Sequence, residues 1–315
     1  MNKLSIVMPF ANEHPQAAFT IQNIEAELEA ASVDYEIMCI DNFCDELAAQ
    51  GPQDPGGAYL EKLCQNNPRR KYLRYQEKLS HWNAKNAGVQ ASSGDILWFV
   101  DAHCLLYPGS LVRMFDCYRR WREYINGTLH MPITYMLDDP NAKLIYKPVI
   151  DLDCGIAHYS FTKLNMPDHP EIPMNVPCMS TCGMMMSREI YDLMGGWPTE
   201  LGIYGGGENF LNYALACLDK TVNIYPQAQL FHYAAPRGYH WNFYDFHRNR
   251  CIASFMYGGK EMASTYMANV EKGSRSVLDS ILTEVCRNKT CQSHRNLIAQ
   301  RAVTTIEAWV KAHNL

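Results

Sequence analysis

The stretch GDILWFVDAH, residues 94–103, holds an apolar run that ends abruptly in an acidic and a basic side chain. The run over residues 96–100 is short, rich in β-branched and aromatic residues, and preceded by a Gly-Asp turn pair, so it predicts a buried strand. Asp101 and His103 follow it at once. A buried strand that delivers a carboxylate and an imidazole at its end either finishes in solvent or contributes to a functional site.

Predicted strands and helices alternate through the first hundred residues. The pattern predicts strands at 4–8, 35–41, 71–76 and 96–100, and helices at 15–31, 56–65 and 81–92. This order favours an α/β fold, with a mostly parallel sheet flanked by helices. In such sheets ligands bind beyond the carboxyl ends of the strands. Asp41, Asp101 and the loop 9–13 are therefore expected at one binding edge.

The pattern loosens after residue 125, where short strands mix with proline and glycine. Beyond residue 180, helices are predicted at 187–196, 206–220, 240–257 and 275–312, with a strand at 227–233. We expect one domain over residues 1–260, with halves 1–125 and 126–260, followed by a helical C-terminal extension over 261–315.

Composition sets outer bounds on function. The chain has 315 residues, is 47% hydrophobic and carries a formal charge of −5, which fits a globular protein with a sizeable core and not a general nucleic-acid coat. Residues 271–315 hold seven Lys/Arg against four Asp/Glu, or about +3. Such a tail suits either a phosphate-bearing partner or a solvated helix face.

The twelve cysteines are scattered, without a CxxC pair, and several lie in apolar runs as buried free thiols do. The N-terminal MNKLSIVMPF enters a strand directly and lacks the charged-then-apolar pattern of a secretion signal. No apolar run is long enough to cross a bilayer. We therefore expect free thiols, no membrane span and a cytoplasmic location.

Asp101 and His103 are two positions apart, so in extended backbone their side chains point to the same side. One divalent ion can then take both. A carboxylate combined with an imidazole suits Mn²⁺, Zn²⁺ or Fe²⁺ better than Ca²⁺. The alternative is that the pair is unrelated to metal, since an isolated D-x-H is common.

Five segments together carry a resemblance to a known family. They are SIVMPFANE (5–13), EIMCIDN (36–42), AKNAGVQASSGDILWFVDAH (84–103), CGMMMSREIYDLMGGWP (182–198) and GIYGGGENFLNYALACLD (202–219). In this order they resemble the GT-A fold glycosyltransferases of family 2. The resemblance covers residues 4–260 and implies a nucleotide-sugar donor, with UDP as the expected nucleotide, and a hydroxyl acceptor.

Two departures from the family 2 pattern resemble the polypeptide N-acetylgalactosaminyltransferases. Asp-x-His stands at 101–103 in place of Asp-x-Asp, and Gly-Gly-Glu-Asn stands at 206–209. In those enzymes a further histidine completes the metal site, and His232 in AQLFHY falls at the matching place. The resemblance therefore implies Mn²⁺, or another divalent cation, held by Asp101, His103 and His232.

The same resemblance implies a set of donor-binding residues: Pro9, Ala11, Glu13, Asp41, Lys85, Asp101 and Ala102. Glu13 and Asp41 are placed to accept hydrogen bonds from base or ribose, or else serve as loop caps. Lys85 either reaches a phosphate or is a surface helix lysine.

The acceptor side is expected at Trp197, Gly206, Gly207 and Asn209, with Glu208 as the catalytic residue. Glu208 follows three glycines, which permit close backbone approach, and its carboxylate is suited to take a proton from an acceptor hydroxyl. At the start of a helix the dipole is expected to hold its pKa low. The alternatives are a simple first-turn acid and, for Trp197, a core tryptophan instead of a sugar platform.

Residues 236–250, PRGYHWNFYDFHRNR, interleave aromatic residues with arginines, which suits either closure over a diphosphate or stacking on bases. Three functions stay open: a metal-dependent glycosyltransferase, a phage-type enzyme that glycosylates hydroxymethylated DNA, and a non-catalytic binding module. The first two differ in the acceptor that receives the sugar. The third would show no hydrolysis of a nucleotide-sugar donor. Inversion or retention at the sugar carbon also stays open.

Overall fold

A computed structural model of the chain describes residues 3–51, 56–136, 142–151, 156–233 and 237–312. Its strands are β1 Leu4–Phe10, β2 Tyr35–Asp41, β3 Arg70–Arg74, β4 Ile96–Phe99, β5 Cys104–Leu106, β6 Gly127–His130, β7 Ile133–Thr134, β8 Leu144–Asp151, β9 Ile156–Lys163, β10 Met174–Val176, β11 Met184–Ser187, β12 Thr221–Ile224 and β13 Leu230–His232. Its helices are α1 Gln16–Ala30, α2 Asp45–Ala48, α3 Gly56–Gln65, α4 His81–Ala91, α5 Ser110–Ile125, α6 Arg188–Met194, α7 Gly207–Cys217, α8 Phe243–Ala268, α9 Arg275–Arg287, α10 Lys289–Arg301 and α11 Ile306–Ala312.

The larger sheet has eight strands in the order β10-β12-β6-β11-β4-β1-β2-β3. Strands β4, β1, β2 and β3 run parallel, as the strand–helix alternation predicts. β11 is antiparallel to both of its neighbours, so the second half of the sheet is mixed. The α/β class with a mostly parallel sheet and helical flanks is confirmed.

The order of the parallel strands reverses beside β1. The chain passes from β1 to β2 and β3 on one side and then returns to β4 on the other side of β1. At such a reversal the loops after the two central strands diverge and leave a crevice. The end of β1 at Pro9 and Phe10, the loop after it and the turn that begins at Asp101 border this crevice.

Both faces of the sheet are buried, which explains why its strands are continuously apolar. Along β4, Leu97 and Phe99 belong to one core and Ile96 and Trp98 to the other, as the two-residue strand period requires. Helices α1 and α5 cover the second core, and α4, α7 and α8 cover the first. Helix α1 buries Ala17, Ile21, Ile24 and Leu28 as one stripe, and Phe19 lies off this stripe and is 56% exposed.

The smaller sheet, in the order β5-β13-β7-β8-β9, lies next in the chain to the turn 101–103. β13 pairs antiparallel with β5, and His232 stands directly opposite Cys104. Directly opposite residues of an antiparallel pair project to the same side. This register brings His232 to His103, although 129 positions separate the two in sequence.

The C-terminal helices pack into the core of the larger sheet. Helix α8 crosses residue 260, where we expected a boundary, and Gly259 breaks its helical backbone with φ 66°. Leu278, Ile281 and Ile298 belong to the same buried cluster as Leu211 of α7. We keep the division at 260 as a prediction, with the extension seated on the first 260 residues.

Two expectations from composition meet the structure here. Eleven cysteines are described, and all are free thiols; Cys154 lies outside the described residues. None of the helices among the described residues has both the length and the apolar character that crossing a membrane requires.

Candidate active site

A cavity of about 280 Å³ opens at the crevice beside β1. Ten residues expected at a site line it: Pro9, Ala11, Glu13, Asp101, Ala102, His103, Gly206, Glu208, Asn209 and His232. Four others lie outside its lining in the described part of the chain: Asp41, Lys85, Trp197 and Gly207. The loop after β1, the turn after β4, the start of α7 and the end of β13 thus meet around one space.

Asp101, His103 and His232 form the most compact polar group of the cavity. One ligand atom from each lies within 4.8 Å of the others. The Nε2 atoms of His103 and His232 are 3.2 Å apart, and Nε2 of His232 is 3.6 Å from Oδ2 of Asp101. Two imidazoles at metal–nitrogen distances of about 2.1 Å place their nitrogens about 3 Å apart, so the group fits a single divalent ion.

Glu13 fixes the tautomer of His103. Its Oε1 accepts a hydrogen bond from Nδ1 of His103 at 2.7 Å, and its Oε2 accepts one from the Ala11 amide at 3.2 Å. With the proton on Nδ1, the Nε2 lone pair faces the centre of the site. Carboxylate–histidine pairs of this kind orient metal ligands and raise their basicity. Glu13 is therefore both a loop cap and the partner of a candidate ligand.

Arg237 lies over the same histidine. Its guanidinium donates to Nε2 of His103, and its charge faces Asp101 and Glu13. Sequence reasoning noted this arginine within the segment 236–250 without assigning it to the site. The signal was its position five residues after His232, on a loop that returns to the cavity.

Lys85 is a buried residue beneath the metal group, not a surface helix lysine. Its side chain is 1% exposed, and Nζ lies 3.7 Å from Oδ1 of Asp101 and 3.4 Å from Oγ1 of Thr181. Burial alone would raise the pKa of Asp101, but the Lys85 ammonium and the neighbouring His232 hold it well below its usual range. Lys85 thus acts on the cavity through Asp101.

Glu208 stands in the first turn of α7 and lines the same cavity as the metal group. Gly206 before it has φ 76°, and a Cβ there would lie 2.2 Å from the carbonyl oxygen of Asn249, so only glycine fits. Oγ of Ser180 donates to Oε1 of Glu208 at 3.1 Å. The expected low pKa is wrong: burial raises the pKa of Glu208, and the Ser180 hydrogen bond offsets this only partly.

Trp197 is in the core, which corrects its assignment as an acceptor platform. It is 1% exposed, packs edge-on against Phe99, and donates from Nε1 to the carbonyl of Gly207 at 3.2 Å. Gly207 is itself covered by the ring of Trp82. Trp197 thus packs against the start of α7, which Gly207 forms, and neither residue lines the cavity.

Asp41 is 4% exposed, and its carboxylate is already engaged. It accepts hydrogen bonds from the hydroxyl of Tyr72 and from the amide of Phe43. The next residue, Asn42, lines the cavity in its place. The sequence located the correct strand end but not the residue that faces the space.

An aromatic wall, defined here as Tyr204, Trp241 and Phe246, borders the cavity through Tyr204 and Phe246. Tyr204 stacks on Trp241 at 4.6 Å between ring centroids, and the Arg250 guanidinium lies 4.1 Å above the ring of Phe246. A second cavity of about 410 Å³ begins behind the wall and shares Phe246 and Arg250 with the first. Composition marked this segment as aromatic and basic without locating either cavity.

The fold and the cavity define the chain as a GT-A glycosyltransferase domain. A family model, described as glycosyl transferase family 2, matches residues 5–193, more than half of the 315. The chain belongs to this family.

Relatives and solved structures agree with that assignment. Polypeptide N-acetylgalactosaminyltransferase 15 of Homo sapiens is 24% identical over 172 residues, which cover 51% of this chain and 26% of that protein. The structure of GalNAc-T7 with UDP, GalNAc and Mn²⁺ superposes with a TM-score of 0.66 at 16% identity, covering 90% of this chain and 55% of that one.

A mannosyltransferase of Pyrobaculum calidifontis, solved with GDP-Man and Mn²⁺, gives a TM-score of 0.50 at 13% identity, covering 95% of this chain and 84% of that one. At these identities the two structures establish the fold alone. The chain spans well under half the length of the curated relatives it matches, between 26% and 38%.

Proposed function

We propose that this protein transfers a sugar from a UDP-sugar to a hydroxyl acceptor, in a reaction that depends on Mn²⁺. The observation that carries the proposal is the juxtaposition of Asp101, His103 and His232 with Glu208 around one cavity at the strand reversal. The GalNAc-T7 structure, which holds UDP, GalNAc and Mn²⁺ on the same fold, supports the choice of donor and metal.

Asp101, His103 and His232 would hold the ion. When bound, a divalent cation neutralises the diphosphate charge that develops as the leaving group departs. Glu13 keeps the ring of His103 in the ligating tautomer, and Lys85 keeps Asp101 ionised. The chain's own residues thereby prepare two ligands before donor or metal arrives.

Arg237 is the cation of the cavity lining best placed to meet the diphosphate. Its guanidinium lies against His103. A diphosphate offers stronger charge-assisted hydrogen bonds than a neutral imidazole does. We expect Arg237 to transfer its contacts from His103 to phosphate oxygens when donor binds, which opens the metal position at the same time.

Glu208 contacts the acceptor hydroxyl. A carboxylate whose pKa is raised by burial is a stronger base than an ordinary one. We propose that Glu208 takes the hydroxyl proton while the oxygen attacks the sugar carbon, with inversion. The anomeric configuration of the product, read by proton NMR, tests this step: retention would limit Glu208 to positioning the acceptor.

The geometry favours a carbohydrate or a protein hydroxyl over modified DNA as acceptor. Arg248, one of the arginines that suggested nucleic acid, pairs with Glu284 at 2.6 Å. Arg250 lies on Phe246, and Arg237 lies in the donor cavity. Flat aromatic faces such as that of Trp241, which is 45% exposed, offer a sugar ring an apolar stacking surface.

The test is hydrolysis and transfer with a panel of nucleotide sugars, with and without Mn²⁺. We expect Mn²⁺-dependent release of UDP from one UDP-sugar, and label transfer to a glycan or peptide but not to hydroxymethylated duplex DNA. Absence of release from every donor would leave a non-catalytic module, and transfer to DNA would reverse the choice of acceptor.

A further inference from the structure

Cys104 and Cys182 lie beside His232, the member of the metal group that comes from β13. Sγ of Cys104 and Sγ of Cys182 are 3.4 Å apart, and both side chains are almost completely buried. A ring nitrogen of His232 and the two sulfurs all lie within 4.8 Å of one another. The cross-strand register of His232 and Cys104 sets this grouping.

A second observation points to a ligand at this place. His232 is 7% exposed, and its Nδ1 has no hydrogen-bond partner among the described residues. A ligating histidine almost always has its other ring nitrogen satisfied, as Nδ1 of His103 is by Glu13. The buried Nδ1 of His232 therefore lacks a hydrogen-bond partner among the described residues, on a ring that has a nitrogen within 4.8 Å of both thiols.

We propose that Cys104, Cys182 and His232 form a second metal site, which takes a thiophilic divalent cation such as Zn²⁺ or Cd²⁺. Thiolates select such ions over Mn²⁺, and two cysteines with one histidine is a known zinc ligand set. With metal–sulfur bonds of about 2.3 Å at tetrahedral angles, the sulfurs stand about 3.8 Å apart, so they need to separate by only about 0.4 Å. Binding displaces the two thiol protons to solvent.

Occupancy of this site and of the Asp101–His103–His232 group is mutually exclusive. Both groups contain His232, and two dications held at either side of one imidazole repel each other strongly. A thiophilic ion therefore inhibits by removing a ligand of Mn²⁺ without contacting the donor. This consequence rests on the proposed function, whereas the existence of the site does not.

The first experiment titrates the reduced full chain with Cd²⁺ and follows sulfur-to-cadmium charge-transfer absorbance. We expect one Cd²⁺ per chain, with the absorbance lost in both Cys104→Ser and Cys182→Ser. Cys64→Ser is the matched control, because Cys39 and Cys64 are also hydrogen-bonded thiols but belong to no group of three ligating side chains among the described residues. Absorbance that survives in both site variants, or vanishes in the control alone, overturns the site.

Folding of the serine variants is checked by circular dichroism, and Cys182→Ala replaces either variant that fails. The second experiment follows protein-bound Mn²⁺ by electron paramagnetic resonance in the presence of UDP. One equivalent of Cd²⁺ is expected to release Mn²⁺ from the wild type but not from Cys182→Ala. Retention of Mn²⁺ with Cd²⁺ bound overturns mutual exclusion. A chain that binds Cd²⁺ but never Mn²⁺ contradicts the proposed function and leaves the thiol site standing.

Discussion

Two carboxylates of the cavity lining, Asp101 in the metal group and Glu208 at the start of α7, have pKa values shifted in opposite directions by their surroundings. Asp101 follows β4 and lies within reach of Lys85 and two imidazoles, which keep its pKa well below the ordinary value. Glu208 lies in the first turn of α7 and accepts a hydrogen bond from Ser180, and burial raises its pKa. Burial acts to raise the pKa of both carboxylates, so the nearby cations decide which one stays charged and which one can accept a proton.

The largest effect is expected from removing the permanent charge. Asp101→Asn loses an anionic ligand and leaves Lys85 buried without its partner, so Mn²⁺-dependent transfer should fall to background. Asp95→Asn, at the exposed start of the same strand, is the control and should retain activity. Full activity of Asp101→Asn in the presence of chelator would refute the metal group.

Replacing the proton acceptor should cost less. Glu208→Gln keeps the shape and removes basicity, so the transfer rate should fall about 10²–10⁴-fold with donor affinity nearly unchanged. Glu189→Gln is the control, since Glu189 is likewise a first-turn glutamate but is 85% exposed. Loss of donor affinity with unaltered turnover of bound substrate would make Glu208 a positioning residue and withdraw inversion.

Glu13 contacts His103 of the metal group, so a variant at Glu13 tests this group separately from Glu208. Glu13→Gln weakens the charge-assisted bond to Nδ1 of His103, and we expect Mn²⁺ affinity to fall about 10–100-fold, with a smaller change in kcat at saturating metal. Glu61→Gln, which breaks a surface pair with Arg74, should leave Mn²⁺ affinity unchanged. Equal Mn²⁺ affinity in both variants would show that Glu13 does not contribute to metal binding.

The smallest effect is on the pH profile. The ionised form of Glu208 is the active one, so kcat at saturating Mn²⁺ and donor should rise with pH through a pKa above the ordinary 4.5. Asp101, with its lowered pKa, stays ionised throughout and contributes no limb in that range. If the pH profile of kcat for Glu208→Gln keeps the same rise, another group is responsible for it.

Local sequence patterns predicted Asp101 and Glu208 as site residues but not the environment that shifts their pKa values. The apolar run of β4 and the Asp-x-His after it were readable because strand burial and the two-residue period are local properties. The place of His232 came from resemblance, since nothing local tells that β13 pairs with β5. The pKa of Glu208, the burial of Lys85 and the core position of Trp197 depend on tertiary packing, which reversed or decided each expectation.

Dependence on tertiary packing also explains why Asn42 lines the cavity where we expected Asp41, and why sequence did not assign Arg237 to the site. A one-residue difference in which side chain faces the crevice is set by the turn after β2, where Phe43 and Tyr72 capture the aspartate. Arg237 acts from a loop whose path depends on the finished fold. The cytoplasmic location, the donor sugar and the domain division stay predictions.

The pairing of β13 with β5 has a consequence for how the chain folds. His103 and His232 are 129 positions apart, so bringing the two imidazoles together closes a long loop of the chain. Contacts of such long range form late, because closing the loop costs entropy before any contact repays it. A nascent or truncated chain that ends before β13 lacks the third ligand. Bound Mn²⁺ would therefore stabilise the completed fold selectively, by mass action, and report that the last strand of the site has docked.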